Sequence, residues 1–413
     1  MLNQGPDILS ELTPLLESKR GELEDWFAKK RAEVPIPIYG SVDVRDSGYK
    51  VSVVDANQFP AGFNNVAQED IPRLSKLMRE HVEKSFPDAS HLHIYPESHT
   101  RNPAYVENLL TLKTILSNTG FTVTVGSPNL SNYGSLDGLT KPLSLERCSI
   151  DVDENLTVEN YGRPDMIILN NDLTGGILSG LIGTSTSPPA HMGWHRRRKS
   201  EHFIALDQFA EQAAEILQID TWHIQPMWFV SEEKCLEKEN CLTELVAEIN
   251  DFISKIQEKY DSLGIEEQPH VFVKNDRGTY GLGMLTITDG EELLNLSKRK
   301  LHKLTYGKGG ALAENFLIQE GIPTDLELQE SPVEPVVYLV DGEATSWFYR
   351  FNHKRDRMSN LNSPSAEFIT RAELESSGDQ TVTKNADSWH ALVAELSMLA
   401  MGAERSVYEA EDS

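Results

Sequence analysis

The 413-residue chain is short of cysteine and of positive charge. Its three cysteines, Cys148, Cys235 and Cys241, form no Cys-x-x-Cys pair and show no zinc-like spacing. Neither a disulfide framework nor a cysteine-based metal site is expected, and the thiols are read as reduced. Basic side chains number 38 against 64 acidic ones, a formal charge of −26, which repels phosphate backbones and anionic lipid at long range. Nucleic acid and membrane are thereby excluded as main partners, whereas a small anion can still be held by a local basic cluster within a Debye length of roughly 8 Å. No run approaches 18 apolar residues, and Met1–Ser10 has neither a basic nor an apolar signal region, so a cytoplasmic protein is expected. A Walker A loop and a Gly-x-Gly-x-x-Gly dinucleotide fingerprint are also missing. What remains is ordinary globular material, 39% hydrophobic and 25% charged, long enough for two or three domains.

Apolar residues at helical spacing predict an amphipathic helix over Glu11–Val34. Three apolar runs, Lys50–Val54, His91–Tyr95 and Asp165–Leu169, read as strands that end in polar loops. Helical patterns accompany them at Asp70–Ser85, Ala104–Asn118 and Glu201–Leu217. Alternation of this kind predicts a parallel sheet covered by helices, with ligands outside the carboxyl ends of its strands. The three loops are therefore candidate binding elements, through Asn57, Asn64 and Asn65 in the first, Glu97, His99 and Arg101 in the second, and Asn171 in the third. Turn formation explains the asparagines equally well, and Asn102 before Pro103 is a ready helix cap. Leu130–Glu159, rich in Ser, Asn, Gly and Asp, reads as a surface excursion.

The second half changes character after a polar helix at Cys241–Leu263. His270–Lys274 alternates as a strand, a glycine loop follows at Gly278–Gly283, and Met284–Thr288 resumes the strand. Such a hairpin can fold over a triphosphate. Lys274 would supply the charge and Gly278, Thr279, Tyr280, Gly281 and Gly283 the backbone cradle; an ordinary hairpin with a solvated lysine fits the segment as well. A helix is expected at Glu291–Leu304, a strand at Asn315–Gln319, an irregular link at Glu373–Lys384, a helix at Ser388–Met401 and a disordered acidic tail. The strand end Gln319-Glu320 can offer backbone groups to an adenine edge and a carboxylate to a ribose hydroxyl. Two strands flank Asp341-Gly342, a strong hairpin signal. On the second of them Arg350 lies on the face opposite Trp347, Tyr349 and Phe351.

In this order the elements resemble the ATP-grasp fold over Val271–Phe368. The runs Val54–Asn65, Pro96–Asn102, Gly193–Ser200 and Asn360–Pro364 narrow the likeness to the proteobacterial glutamate-cysteine ligase family, over Val34–Phe368. The resemblance implies an α/β protein with an N-terminal α/β substrate region and a C-terminal ATP-grasp-like module. Its segments would be residues 1–160 (substrate binding), 161–268 (central α/β), 269–370 (nucleotide binding) and 371–413 (terminal helix and tail). It further implies ATP and Mg²⁺ as cofactors and glutamate and cysteine as substrates. Lys274, Arg350 and Arg101 would be catalytic, and Asn360 and Asn362 would hold the metal with an acidic partner among Glu334, Asp356 and Glu367, Glu334 being preferred. No enzyme nucleophile is needed, because positioning and charge neutralisation carry such a reaction.

Arg196-Arg197-Arg198-Lys199 is a basic run in an acidic chain. Its members point in different directions if helical, so one or two, Arg198 and Lys199 being preferred, are expected at an anion. His191 and His195 lack the glutamate and third ligand of a zinc helix. Rival readings are an ATP-grasp ligase with another amine acceptor and a nucleotide-binding regulator without turnover. Assembly into a homo-oligomer is left open.

Overall fold

The computed structural model describes residues 6–236, 238–277, 284–306, 312–378 and 380–411. Its centre is an antiparallel sheet with strand order Glu367–Thr370, Glu343–Phe351, Ser331–Val340, Tyr39–Asp46, Val51–Asn57. Successive side chains in a strand alternate faces, and here the two faces differ in chemistry. Val42, Val44, Val53, Val337, Leu339, Trp347 and Tyr349 join the core that also takes in the helices Lys199–Leu217 and Ala391–Glu411. The opposite face carries Asp43, Arg45, Asp55, Glu334 and Arg350. The predicted hairpin turns at Asp341-Gly342, with φ of 50° and 88°. Two consecutive left-handed residues suit the twist of an antiparallel pair, and the glycine takes the second position without a Cβ penalty.

A second sheet is parallel, in the order Thr186–Ser187, Met166–Asn170, His91–Pro96, Thr122–Val125. Met166–Asn170 is apolar on both faces, His91 and His93 bond to Thr124 on one face of the neighbouring strands, and the helices Ile71–Ser85 and Pro103–Ser117 share the core on the other. This sheet contains two of the three strands expected to be parallel. The third, Val51–Asn57, belongs instead to the antiparallel sheet, because Tyr39–Asp46 pairs with it on one side and with Ser331–Val340 on the other. The central sheet thus draws strands from both the 1–160 and the 269–370 stretches. A third, antiparallel sheet runs Trp228–Ser231, Phe316–Glu320, Val271–Asn275, Met284–Ile287 and is backed by the helix Glu239–Leu263.

Several boundaries differ from the sequence reading. The N-terminal helix is two helices, Ile8–Ser18 and Arg20–Glu33, parted at Lys19 with ψ near 1°. The expected Glu291–Leu304 helix starts only at Lys298, capped by Ser297. The expected link holds a short helix, Arg371–Ser376, closed by a Thr370/Glu373 capping box. The last helix runs on to Glu411, into the stretch expected to be disordered. Leu130–Glu159 carries two small β-ribbons, Ser135–Asp137 with Pro142–Ser144 and Cys148–Ile150 with Leu156–Val158. Among the described residues no helix is long and apolar enough to cross a membrane.

Candidate functional site

Where the carboxyl ends of strands Val51–Asn57, His91–Pro96 and Met166–Asn170 converge over the polar face of the central sheet, they enclose a cavity of about 500 Å³. Asp43, Asp55, Tyr338, Phe348 and Arg350 line it from the sheet, and Asn57, Asn64, Asn65, Glu97 and His99 from the loops. Lys199 and Trp194 close another side, with the lysine ammonium 4.8 Å from the indole centre. A site of this size, with a few converging polar groups among aromatic side chains, suits a small polar substrate.

The sheet wall is a charge network. Arg350 donates to Asp43 at 3.0 Å and also to Glu334, whose other oxygen accepts from Arg45 at 2.7 Å. Arg45 reaches on to the carbonyls of Arg357 and Ser359, at 3.0 and 2.7 Å. The Nε of Arg350 is buried without a partner among the described residues. Burial works to raise the Glu334 carboxyl, but Arg45 and Arg350 outweigh it and hold it low. Asp43 is raised: burial dominates, Arg350 opposes it and Glu334 adds to it. Asp55 goes the other way. Desolvation pushes it up, yet Lys199, Lys274 and Arg197 bring it down to about 2, with Lys199 in contact at 2.6 Å.

Lys274 approaches the same wall from the third sheet. It is buried and donates to Gln319 Oε1 at 2.5 Å and to the carbonyl of Val54 at 2.8 Å, next to Asp55. Burial pushes its ammonium down to about 8. Two residues on, Asp276 accepts from Ser200 N–H at 2.8 Å and from the Ser200 hydroxyl, which fixes the start of the Lys199 helix against the end of the Lys274 strand. Two lysines and Asp55 are thereby drawn together from three elements.

Of the residues singled out in the sequence, Asn57, Asn64, Asn65, Glu97, His99, Lys199, Arg350 and Asn362 line the cavity. Lys274 and Gln319 stand beside it through Val53 and Val54. Glu334 underlies Arg350. Other candidates lie elsewhere. Arg101 is exposed and outside the lining, while Asn102 caps its helix by accepting from Tyr105 N–H. Asn171 is buried in local bonds, donating to Pro96 O and accepting from Leu173 N–H. Arg198 precedes the Lys199 helix, its N–H donating to Tyr408. Arg197 is buried against Glu404, at 2.7 and 3.0 Å. Glu320 turns to the face opposite Gln319, where it accepts from Lys50 at 2.5 Å and from Met227 N–H at 2.8 Å. Asn360 accepts from Asn362 N–H in a local turn. Gly278, Thr279, Tyr280, Gly281 and Gly283 lie outside the described residues. Among the described residues no group of three or more His, Cys, Asp or Glu side chains is gathered as a metal site. Asp43 escaped the sequence reading. Its signal was the alternation of Ser41, Asp43 and Arg45 with Val42 and Val44.

The chain matches the glutamate-cysteine ligase family model over residues 14–405. Among solved structures it is similar to a protein from Methylobacillus flagellatus KT assigned as a gamma-glutamylcysteine synthetase. The two are 32% identical, with 98% of each chain covered and a TM-score of 0.87. A glutathione synthetase-like effector from Globodera pallida (8% identity, 88% of this chain and 80% of that one, TM-score 0.37) aligns too loosely to carry an argument. So does D-alanyl-alanine synthetase A from Vibrio cholerae (10% identity, 72% and 81%, TM-score 0.29). No curated protein matches the chain.

Proposed function

The chain belongs to the glutamate-cysteine ligase family, and from that membership we propose that the 500 Å³ cavity is where the glutamate side chain is activated and joined to cysteine. The activity is ligation of glutamate to cysteine; the placement of each step is inferred from the residues. The observation that carries it is the gathering of Arg350, Lys199 and the asparagine-rich strand-end loops around one cavity, with Lys274 alongside.

Amide formation from a carboxylate needs an activated acyl group. ATP, when bound, supplies it by phosphorylating the γ-carboxylate, after which the cysteine amine displaces phosphate. The chain's task is then to hold anions together and exclude water. Arg350, already fixed by Asp43 and Glu334, presents a preorganised guanidinium to a carboxylate or acyl phosphate. Lys199 and Lys274 add two ammonium charges on the side of Asp55. Asn57, Asn64, Asn65, Glu97 and His99 offer donors and acceptors for an amino acid's α-groups.

The residues fit a hard divalent cation. Asp43, Asp55 and Asn362 line the cavity with oxygen donors, and the raised carboxyl of Asp43 reflects burial beside Glu334 and Asp55, a strain that a cation relieves. Mg²⁺ is commonly bound through one or two carboxylates plus phosphate and water, which suits a site whose ligands are not gathered beforehand. By the same reading the third sheet and the Lys274 hairpin form an ATP-grasp-like nucleotide module closing on the central sheet.

The test is a coupled ADP-release assay. Release is expected to require Mg²⁺, glutamate and cysteine together. Equal release with glutamate omitted would overturn the placement of the chemistry.

A further inference from the structure

A second cavity, of about 710 Å³, lies between the Lys199–Leu217 helix, the edge strand Trp228–Ser231 and the Glu239–Leu263 helix. Among the described residues it shares no lining residue with the ligation cavity. Its walls are aromatic, from Trp222, Trp228, Phe229 and Phe252, and its size is that of a ligand site.

Three buried polar groups in this lining lack a partner among the described residues. Gln225 is 7% exposed, and both its amide oxygen and its amide nitrogen are unsatisfied; the indole N–H of Trp222, 6% exposed, is unsatisfied as well. Buried polar atoms are almost always bonded, so a cluster of orphans on side chains that line a cavity marks a place where a ligand or water completes the set. The charge around it is negative and only partly matched. Glu248 has Lys234 at 3.2 Å, and Asp251 has Lys255 at 2.7 Å. Asp207 and Glu211, one turn apart on the same helix, have no cation in contact among the described residues, and both oxygens of Asp207 share the single indole N–H of Trp228, at 3.1 and 3.2 Å.

We propose that this cavity binds a small organic cation, an amine or guanidinium compound with an apolar body, its charge at Asp207 and Glu211. The apolar body lies on Trp228 and Phe229, whose ring faces also attract positive charge. A hydrogen-bonding group of the ligand meets the Gln225 amide. Burial pushes the Asp207 carboxyl up to about 6, with Trp228 opposing and Glu211 adding to the rise. A cation seated there removes that penalty.

The test is calorimetric titration of the whole chain with agmatine, compared with 4-guanidinobutyrate, which keeps the guanidinium and replaces the amine by a carboxylate. Agmatine is expected to bind at one site per chain, about tenfold or more tighter than 4-guanidinobutyrate. Asp207→Asn and Glu211→Gln should each weaken agmatine, and Gln225→Leu should do so too. Ligation of glutamate to cysteine should be unchanged in Asp207→Asn and Glu211→Gln, which keeps this outcome separate from that of the ligation cavity. Glu211 is exposed, so its variant keeps the test open if the buried ones fail to fold. Absence of saturable agmatine binding up to about 10 mM, equal affinity for the two compounds, or undiminished binding in the carboxylate variants would overturn the proposal.

Discussion

Asp43 and Asp55 stand directly opposite each other across the strands Tyr39–Asp46 and Val51–Asn57, and their carboxyls are driven apart. Asp55 is held at about 2 against desolvation by Lys199 and Lys274, while burial lifts Asp43. Neighbouring carboxyls with separated ionisations take different roles. Asp55 stays anionic throughout the working range, and Asp43 is the first of the two to take a proton on acidification.

That order sets an acid limb. Protonated Asp43 no longer anchors Arg350, so kcat/KM for glutamate is expected to fall as pH drops through the raised Asp43 ionisation. In Asp43→Asn the plateau should drop about tenfold or more, with the acid limb flattened. A pH profile of both proteins checks this; an unchanged limb in Asp43→Asn would assign it to another group.

Lys274 sets the alkaline side. Burial brings its ammonium down to about 8, and a phosphate contact needs the charge. In the free enzyme kcat/KM for ATP should therefore decline above pH 8. Lys274→Met should lose roughly a hundredfold. Lys274→Arg, which cannot deprotonate in this range, should be impaired but flat to pH 9. Persistence of the decline in the arginine variant would exclude Lys274 as its source.

Lys50 and Glu320 form an ion pair at 2.5 Å with both side chains fully buried. Removing one partner of such a pair leaves a stranded charge, a loss of about 3 to 5 kcal/mol. Lys50→Met should show this in denaturant unfolding. The double variant Lys50→Met/Glu320→Gln should regain part of it, since no bare carboxylate remains. A double variant no more stable than Lys50→Met would show that the loss comes from packing, including that of the lysine over Trp222 at 4.1 Å.

Arg101 and Lys199 divide the carboxylate question. Arg101 is exposed and outside the cavity lining, so Arg101→Ala should leave glutamate kinetics within about threefold. Lys199→Met removes a charge from the lining itself and should cost roughly ten- to a hundredfold. Steady-state kinetics on both variants decide between loop and helix as the anion-binding element.

Much of the local structure was legible. The parallel strands at His91 and Met166 and the Asp341-Gly342 turn follow from hydrophobic patterning and left-handed backbone demand. The strand Tyr39–Asp46 was not read, because half its residues are polar yet turned inward, Ser41 and Asp43 to the cavity and Asp46 to Asn385 and His390. Nor could local alternation reveal that Val51–Asn57 belongs to an antiparallel sheet, since that sheet also needs Ser331–Val340. The loops that line the cavity were visible as clusters of Asn, Glu and His at strand ends. The turn of Glu320 toward Lys50 depends on a partner 270 positions away.

The central sheet imposes an order on synthesis. Tyr39–Asp46 emerges from the ribosome early, but its neighbour Ser331–Val340 is made roughly 285 residues later, about 15 to 60 s at ordinary elongation rates. Throughout that interval the nascent chain carries a strand whose apolar side lacks the cover of the Ala391–Glu411 helix and whose hydrogen-bonding edge stays open on one side, a template for pairing with other chains. Non-local pairing is also slow to close. The charges on its other face, Asp43 and Arg45 among them, then guard against association before they serve the finished site.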